Sequence, residues 1–303
     1  MDKSSELQGK QTIVDDNLRE VKAHGTEGFP IGIYLDDFSD FENGYICWHW
    51  HEEVQATMIL EGDFLYQLDG KEMKMSPGDI IFINSGLLHQ IRPCVREQGK
   101  LYSFIWRAEL IGGKHTDIYK ECIAPVLNRR INSVFWSNKD KNHEKIADCL
   151  RKAVLFYEKK EGPYQLQVQQ QIASFWLELY ERVEHECMDE IEENSGNDRD
   201  SKRVKAALQY IYEHYQESVK LDEIAQAAYV SRSELCRSFQ RIVQTSPMEF
   251  LMQFRIRQAT VLLKKQDLRI ADVAEMVGFC SPSHFGSNFM KYMGCTPKEY
   301  RVK

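Results

Sequence analysis

The sequence lacks closely spaced cysteines, although it contains eight of them. No two form a Cys-x-x-Cys pair, and this excludes a zinc ribbon and a thioredoxin-like redox site. An even number of widely spaced cysteines in a chain of 303 residues is weak evidence for disulfides. We therefore expect reduced thiols and a cytoplasmic protein.

Long apolar runs are missing as well. Runs such as Ile80–Ile83 end after a few residues, whereas a membrane-spanning helix needs about 20 apolar residues. The first residues, Met1–Glu6, are polar and lack the apolar core of a signal peptide. The sequence thus predicts a protein without a membrane partner.

Acidic and basic residues are unevenly distributed along the chain. Residues 201–303 contain 16 Lys and Arg against 10 Asp and Glu, and the remaining residues contain 23 against 36. A basic module joined to an acidic one is typical of a protein that binds a polyanion through one of its parts. An excess of this size also arises by chance, so charge alone does not decide the function.

Residues 31–140 form the first predicted domain, after an N-terminal arm at residues 1–30. Up to residue 110 this region consists of short runs rich in β-branched and aromatic residues, divided by turn signals such as Asp69-Gly70. The predicted strands are Tyr45–Trp50, Val54–Leu60, Phe64–Leu68, Ile80–Ile83 and Leu101–Trp106. Many short strands at this spacing predict a β-sandwich or barrel.

Two amphipathic helices are predicted next, within residues 141–188. Apolar residues recur at steps of three and four in residues 142–160 and 164–188, and Gly162-Pro163 separates the two stretches. Their apolar faces either pair two copies of the chain or pack only against the preceding domain. Residues 189–202 begin with an acidic stretch nearly free of apolar side chains and are predicted to be an interdomain linker.

The last hundred residues contain an internal repeat, because residues 221–250 resemble residues 270–300. Each copy is predicted to hold a short helix, a tight turn, a second helix and a further capped helix. Ser231 and Ser281 are placed to cap the second helices. Gly278 permits the sharp turn in the second copy, whereas Tyr229 occupies that position in the first.

Two helix-turn-helix units in a basic module are typical of nucleic-acid binding. In the second helix of each unit, apolar i,i+4 pairs must face inward, which leaves polar residues for DNA. These residues are Arg232, Ser233, Glu234, Arg237, Ser238 and Arg241 in one copy, and Ser283, His284, Ser287, Asn288 and Lys291 in the other. Such side chains contact base edges and phosphates. Any one of them can equally belong to a solvated helix face, and the role of Glu234 can be limited to closing the capping box of its helix.

Residues 221–240, 255–263 and 270–301 resemble the DNA-binding domain of AraC/XylS-type transcriptional regulators. The resemblance covers residues 203–303 and implies two helix-turn-helix subdomains joined by a long helix at about Pro247–Lys265. It further implies that both recognition helices enter successive major-groove segments on one face of DNA. Tyr229 departs from the usual glycine, and Ser287 stands where a basic residue is common.

Histidines mark a second site in the β-rich half. In His49-Trp50-His51 the side chains of a strand alternate, so both imidazoles share one face and Trp48 and Trp50 share the other. A third histidine, His89, follows a glycine-bounded strand. The arrangement resembles the two motifs of the cupin barrel over about residues 31–108, with Gln55 at the position of the motif's glutamate.

The chemistry of this second site has two interpretations. The imidazoles of His49, His51 and His89 can hold a divalent ion, but glutamine is a poorer ligand than the carboxylate of the cupin motif. We therefore predict no bound metal or cofactor, and either ligand recognition by polar groups or simple packing of the histidines instead. The predicted ligand-binding residues are His49, His51, Gln55, His89, Tyr66 and Trp106, although aromatic residues such as the last two belong to the core more often than to a pocket.

The predicted fold class is α+β and multidomain. It combines an N-terminal cupin or jelly-roll β-barrel, helices that follow it, and a C-terminal all-α domain of two helix-turn-helix subdomains. The leading functional hypothesis is a ligand-responsive regulator, not an enzyme. Its expected partners are double-stranded promoter DNA, a small-molecule effector such as a sugar, RNA polymerase and a second copy of the chain. The alternative is a cupin metalloenzyme or metal sensor that a DNA-binding domain directs to its target.

Overall fold

Nine strands and ten α-helices occur in the described part of the chain. The computed structural model describes residues 14–15, 18–41, 44–68, 70–95, 98–128, 131–140, 142–186, 197–264 and 268–302. The strands are β1 Ile31–Asp37, β2 Ile46–His49, β3 Val54–Glu61, β4 Phe64–Leu68, β5 Lys71–Met75, β6 Ile80–Ile83, β7 His89–Pro93, β8 Lys100–Trp106 and β9 Ser133–Trp136. The helices are α1 Ala124–Asn128, α2 His143–Lys159, α3 Tyr164–Glu186, α4 Asn197–His214, α5 Leu221–Ala227, α6 Arg232–Ile242, α7 Pro247–Leu263, α8 Ile270–Met276, α9 Pro282–Met293 and α10 Pro297–Val302.

The strands form two antiparallel sheets, which agrees with the predicted β-rich cupin domain. One sheet has the order β1-β8-β3-β6-β9, and the other has the order β2-β7-β4-β5. Strand β6 shows why its sequence is a continuous apolar run. Ile81 and Ile83 belong to a core with residues of the second sheet, whereas Ile80 and Phe82 belong to a core with α2 and α3. Both faces of the strand are therefore buried.

Helices α2 and α3 cover the outer face of the five-stranded sheet. Trp106 and Trp136 of the sheet lie edge-on to Phe175 of α3, with ring centroids 6.0 and 5.7 Å apart. The buried stripe of α2 and α3 thus packs against its own sheet, as one of the two sequence interpretations expected. Leu166 and Leu177 of α3 point away from this core and are 64% and 55% exposed.

The C-terminal helices form the two predicted helix-turn-helix units, α5–α6 and α8–α9, which α7 joins. Ser231 and Ser281 cap α6 and α9. Each serine hydroxyl accepts a hydrogen bond from the backbone N–H three residues later, at 3.3 Å in α6 and at 3.2 Å in α9. Thr296 and Glu299 form a complete capping box at α10, with hydrogen bonds of 3.2 and 2.8 Å. Among the described residues, no helix is long and apolar enough to cross a bilayer.

The turns inside the two units have the same left-handed backbone but different residues. Gly278 has φ +84°, and Tyr229 has φ +55° with its side chain 94% exposed. A Cβ at Gly278 would overlap the carbonyl oxygen of Tyr215. Tyr229 is therefore tolerated because its side chain meets only solvent, but it carries the strain of a left-handed residue with a Cβ.

The predicted linker 189–202 is only partly described. Residues 187–196 lie outside the described residues, and residues 197–202 already form the first turns of α4. The predicted arm 1–30 is described from residue 18 onward and at residues 14–15. Leu18–Glu20 lies against the β domain, since Glu20 N–H donates to Trp50 O at 2.9 Å and Trp50 N–H donates to Leu18 O at 3.0 Å.

Candidate effector site and nucleic-acid interface

The structure brings His49, His51 and His89 together. His49 ends β2 and pairs with His89 at the start of β7, and His51 follows two residues after His49 on the same face. All three side chains are buried, and one ring nitrogen from each lies within 4.8 Å of the others. The sequence-predicted histidines thus form one cluster in the β domain.

Backbone carbonyls determine which ring nitrogen of each histidine carries its proton. The Nδ1 atoms of His49, His51 and His89 lie 2.8, 3.0 and 2.8 Å from the carbonyl oxygens of Cys47, Glu53 and Leu87. A carbonyl oxygen only accepts, so each Nδ1 must donate a hydrogen. In a neutral ring the Nε2 atom is then left with a lone pair, as in histidine ligands of metal ions.

Burial keeps these rings neutral. It lowers the pKa of His49 to about 4, and it also lowers the pKa of His51 and of His89. Around neutral pH the cluster therefore offers three uncharged imidazoles. Neutral rings with Nε2 lone pairs accept hydrogen bonds or coordinate cations, but they do not attract an anion.

Gln55 of β3 completes the cluster. Its Oε1 lies 2.9 Å from His51 Nε2 and 3.2 Å from His89 Nε2, while its amide nitrogen donates to Thr57 Oγ1 at 2.9 Å and to Tyr66 Oη at 3.3 Å. In this orientation Gln55 Oε1 faces the lone pairs of both Nε2 atoms, and the arrangement is stable when a cation lies between the three atoms. Without a cation, the amide turned by 180° donates to both imidazoles and accepts from the two hydroxyls.

A cavity of about 560 Å³ adjoins the cluster between the two sheets. His49, Gln55 and Tyr66 line it directly, whereas His51 and His89 reach its polar end through Gln55. Other lining residues form an apolar wall. They include Ile33, Phe41, Ile46, Ile91, Leu101 and Ile105. The cavity thus combines an apolar wall with convergent polar groups, as is usual in small-molecule sites.

Trp106 is not part of this cavity, so its predicted role as a pocket wall is wrong. Its ring is fully buried on the opposite face of the sheet, in the core with Phe175 of α3. Ile105 and Trp106 are neighbours on β8, where successive side chains point to opposite faces of the sheet. Because Ile105 points into the cavity, Trp106 points away from it.

The N-terminal segment supplies cavity residues that sequence reasoning missed. Glu20, Lys22 and His24 line the cavity, and the Glu20 carboxylate lies 3.4 Å from His24 Nε2. Burial alone would raise the pKa of Glu20, but contact with His24 and the nearby His49 lower it overall. No motif spacing connects residues 20–24 with the histidines, so only tertiary contact could identify them.

Helix α6 presents most of its predicted DNA-contacting residues on an exposed face. Arg232 and Arg237 are exposed, and both are paired with carboxylates: Arg232 with Asp222, and Arg237 with Glu234 at 2.6 Å. Glu234 therefore does not close a capping box with its side chain, although its N–H is capped by Ser231. A phosphate group can replace the carboxylate partner of each arginine, because exposed ion pairs are weak.

Ser238 does not face outward, and this part of the prediction is wrong. The residue is 2% exposed, and its hydroxyl donates to Asp200 Oδ1 at 2.7 Å. Asp200 of α4 is also buried and accepts from Arg203 at 3.1 Å and from Arg241. Ser238 therefore holds α6 against α4 and is inaccessible to DNA. Helix periodicity carried a signal for this burial, because Leu235, Ser238, Phe239 and Ile242 follow one another at the i, i+3, i+4 and i+7 spacing of a buried stripe. Only the identity of the partner, 38 residues away, required the tertiary structure.

Helix α9 keeps its predicted polar residues at the surface. Ser283, His284 and Ser287 are exposed, and Asn288 is half-buried. The Ser287 hydroxyl and the Asn288 amide donate to carbonyls one turn earlier on the same helix, at 3.1 and 2.9 Å. Lys291 bonds outside its own helix, because its ammonium donates to Glu249 of α7 at 3.0 Å.

Comparison with known proteins gives matches to both halves of the chain. A helix-turn-helix domain model matches residues 224–303, and a cupin domain model matches residues 42–104. The chain has the domain composition of an AraC-type transcriptional regulator. The region matched by the cupin model carries the histidine cluster, and the region matched by the helix-turn-helix model carries α6 and α9.

Curated relatives of this chain carry names of transcriptional regulators. The chain is 29% identical over 300 residues to the uncharacterized HTH-type transcriptional regulator YdeC of Bacillus subtilis strain 168, which covers 96% of this chain and 98% of that protein. It is 32% identical over 98 residues to the melibiose operon regulatory protein of Escherichia coli K12, which covers 32% of each chain. A solved AraC-type regulator structure from Chromobacterium violaceum is 28% identical, covers 33% of this chain and 89% of that chain, and has a TM-score of 0.32.

Proposed function

We propose that this protein is an effector-responsive transcriptional regulator. Its C-terminal domain binds promoter DNA through α6 and α9, and its cavity binds a small molecule that alters this binding. The observation that carries the proposal is the repeated pair of helix-turn-helix units, each with an exposed polar face on its second helix.

The DNA contacts divide into two chemical groups. Arg232, Arg237 and Arg241 supply fork-shaped cations that bind phosphates or guanine edges once they leave their acidic partners. His284 and Asn288 supply short polar groups suited to base edges. The proposed DNA-contacting set is Arg232, Ser233, Glu234, Arg237, Arg241, Ser283, His284, Ser287, Asn288 and Lys291.

A neutral, hydroxyl-bearing metabolite such as a carbohydrate is the proposed effector. The lining imidazole of His49 is neutral. Among the described lining residues, Glu20 and Asp36 place two carboxyl groups at the cavity against one ammonium, that of Lys22. Hydroxyl groups can donate to Nε2 atoms and accept from Tyr66 or Thr57. An anionic effector would meet more negative than positive charge there.

Dimerisation and contact with RNA polymerase complete the proposed regulator. Leu155 of α2 and Leu166 and Leu177 of α3 are apolar residues on the exposed surface of the helical layer. A second copy of the chain can bury this surface. A dimer would place two DNA-binding modules on spaced half-sites, from which bound regulators contact RNA polymerase.

A metal-dependent site is the second candidate, either for sensing or for catalysis. Three Nε2 lone pairs and Gln55 Oε1 converge, and this donor set fits a divalent transition ion. Bound there, the ion would supply a fixed positive charge for oxygen atoms of a ligand. His49, His51, His89 and Gln55 would hold it. The names of the relatives favour a regulator over an enzyme.

Capture of genomic DNA fragments by the full-length protein tests the leading proposal. We expect enrichment of a few promoters that carry two elements about one helical turn apart. Arg237→Ala should weaken binding by about 1–3 kcal/mol and relax specificity at one position if Arg237 contacts a base. Lys159→Ala removes an equal charge from α2, far along the chain from α6, and should leave the binding unchanged.

Two results would contradict the DNA proposal. One is no enrichment by the wild-type chain, both alone and with cell extract as a source of effector. The other is equal enrichment by a variant in which Arg237 and Asn288 are both replaced by alanine. An equal loss of affinity on every DNA sequence would instead assign Arg237 to a phosphate.

A further inference from the structure

Four residues define the outer face of each second helix, on the side away from the helix's buried residues. In α6 the buried residues include Leu235 and Phe239, and the outer face consists of Ser233, Cys236, Arg237 and Gln240. In α9 the buried residues are Phe285 and Phe289, and the outer face consists of Ser283, Gly286, Ser287 and Met290. Both sets follow the spacing i, i+3, i+4 and i+7, with which a recognition helix contacts bases in the major groove.

Gln240 and Met290 occupy the same position in the two units. The internal repeat aligns Phe239 with Phe289, and the same offset places Gln240 on Met290. Gln240 is exposed, and its amide has no hydrogen-bond partner among the described residues. Met290 is 43% exposed. The two units therefore present different chemical groups at equivalent positions, and neither residue belongs to the DNA-contacting set proposed above.

The outer face of α9 is also the less polar of the two. Arg237 lies at the centre of the outer face of α6, whereas the equivalent Ser287 donates its hydroxyl to Ser283 O at 3.1 Å. The nearby ammonium of Lys291 donates to Glu249 of α7 at 3.0 Å. Met290 is thus the largest side chain of a neutral outer face, and this face is suited to apolar contact with bases.

The major groove offers a matching partner for each of the two groups. Adenine presents its N6 amino group as a donor and N7 as an acceptor, and a glutamine amide pairs with both at once. Thymine presents its C5 methyl group, which apolar side chains contact. The unbranched thioether chain of methionine adapts readily to such a small apolar target.

We propose that Gln240 and Met290 determine base preference in the two DNA segments. Gln240 selects adenine in the segment that α6 binds, and Met290 selects thymine in the segment that α9 binds. The inference rests on the proposed function, because it names the bases that the same two helices contact. Exposure alone does not carry it, since Met276 at the end of α8 is 44% exposed but lies outside the outer face of α9.

Selection from a pool of random DNA duplexes tests the two assignments. The full-length chain is used alone and with cell extract as a source of effector. Met290→Ala should lose the preference for thymine at one position of one segment and keep every preference in the other segment. Gln240→Ala should lose an adenine in the other segment in the same way. Met290→Gln should change the preferred thymine to adenine. The preferences retained in the unaffected segment show that each variant is folded.

Base analogues then test the individual contacts in the selected duplex. Deoxyuridine in place of thymidine removes only the methyl group, and it should weaken wild-type binding about fourfold, as expected for one buried methyl. It should leave the affinity of Met290→Ala unchanged. In 7-deazaadenine a C–H group replaces N7. This analogue should weaken wild-type binding about fivefold and leave the affinity of Gln240→Ala unchanged.

Met276→Ala and Gln226→Ala are the matched controls, because both residues are exposed and lie on the first helix of a unit. Both controls should select the wild-type sequences. The assignment of Gln240 or of Met290 is overturned if its alanine variant selects the same bases as the wild type, or loses affinity equally on every sequence. A wild-type chain that selects no sequence under either condition would instead refute the regulator, and this inference with it.

Discussion

Each histidine of the cluster takes its orientation from a backbone carbonyl two positions away along the chain. The acceptors are Cys47 for His49, Glu53 for His51 and Leu87 for His89. Local geometry therefore sets the tautomer of each ring, while burial between the sheets sets its charge. The result is a cluster that accepts hydrogen bonds or a cation at neutral pH.

The lowered pKa values predict a dependence of stability on pH. In the unfolded chain a histidine titrates near pH 6.5, whereas the folded protein holds the pKa of His49 at about 4. Between these values the unfolded state binds more protons, so the unfolding free energy of the β domain falls as pH drops from about 6.5 to about 4. For His49 alone the loss is on the order of 3 kcal/mol.

Urea unfolding at several pH values measures this effect. His49→Gln should flatten the slope across that window, because the variant side chain does not titrate. His115→Gln replaces an exposed histidine and should keep the wild-type slope. An equal slope in wild type and His49→Gln would contradict the assignment.

At the scale of elements, the two helix-turn-helix units show how far sequence patterns predict structure. Caps, repeat spacing and apolar i,i+4 pairs predicted α6, α7 and α9, since these signals act within a few residues. The burial of Ser238 was missed although the residue lies three positions after Leu235 on the buried stripe of α6, and only its partner, Asp200 of α4, required the tertiary structure. Strand β9 was also missed. It gains its place by pairing with β6, more than 45 residues earlier in the sequence.

The unequal turns of the two units give a prediction about stability. Tyr229→Gly removes the strain of a left-handed residue with a Cβ and should raise the unfolding free energy by about 0.5–1 kcal/mol, after allowance for glycine's chain entropy. Gly278→Ala is the opposite change at the equivalent turn. It should lower the unfolding free energy by at least about 1 kcal/mol, because of strain and the overlap with Tyr215.

The midpoint of urea unfolding, monitored in the full chain, compares the two substitutions. Opposite shifts would support the argument. A loss of stability in Tyr229→Gly would mean that the exposed ring contributes contacts that outweigh the backbone strain.

At the scale of the whole molecule, the exposed leucines of α3 predict self-association. Leu166 and Leu177 lie eleven residues apart, about three turns, and therefore on one helix face. Replacement of both by glutamate should convert a dimer into a monomer, because the charges cannot be buried at an apolar interface. Analytical ultracentrifugation measures the change in mass.

Gln165→Glu serves as the control, since it adds a charge to an exposed position of the same helix. That variant should sediment like the wild type. The surface is not a dimer interface if the wild-type chain is monomeric, or if the doubly substituted chain remains dimeric.

The sequence by itself determined the domain order, the helix-turn-helix repeat and the membership of the histidine cluster, because caps, periodicity and strand alternation are local properties. Tertiary structure alone decided the rest. It placed Trp106 in the helix-packed core, brought Glu20 and His24 to the cavity, and docked Trp48 and Trp50 on the DNA-binding module. These outcomes depend on which distant surfaces become adjacent, and a pattern along one chain segment carries no information about its partner.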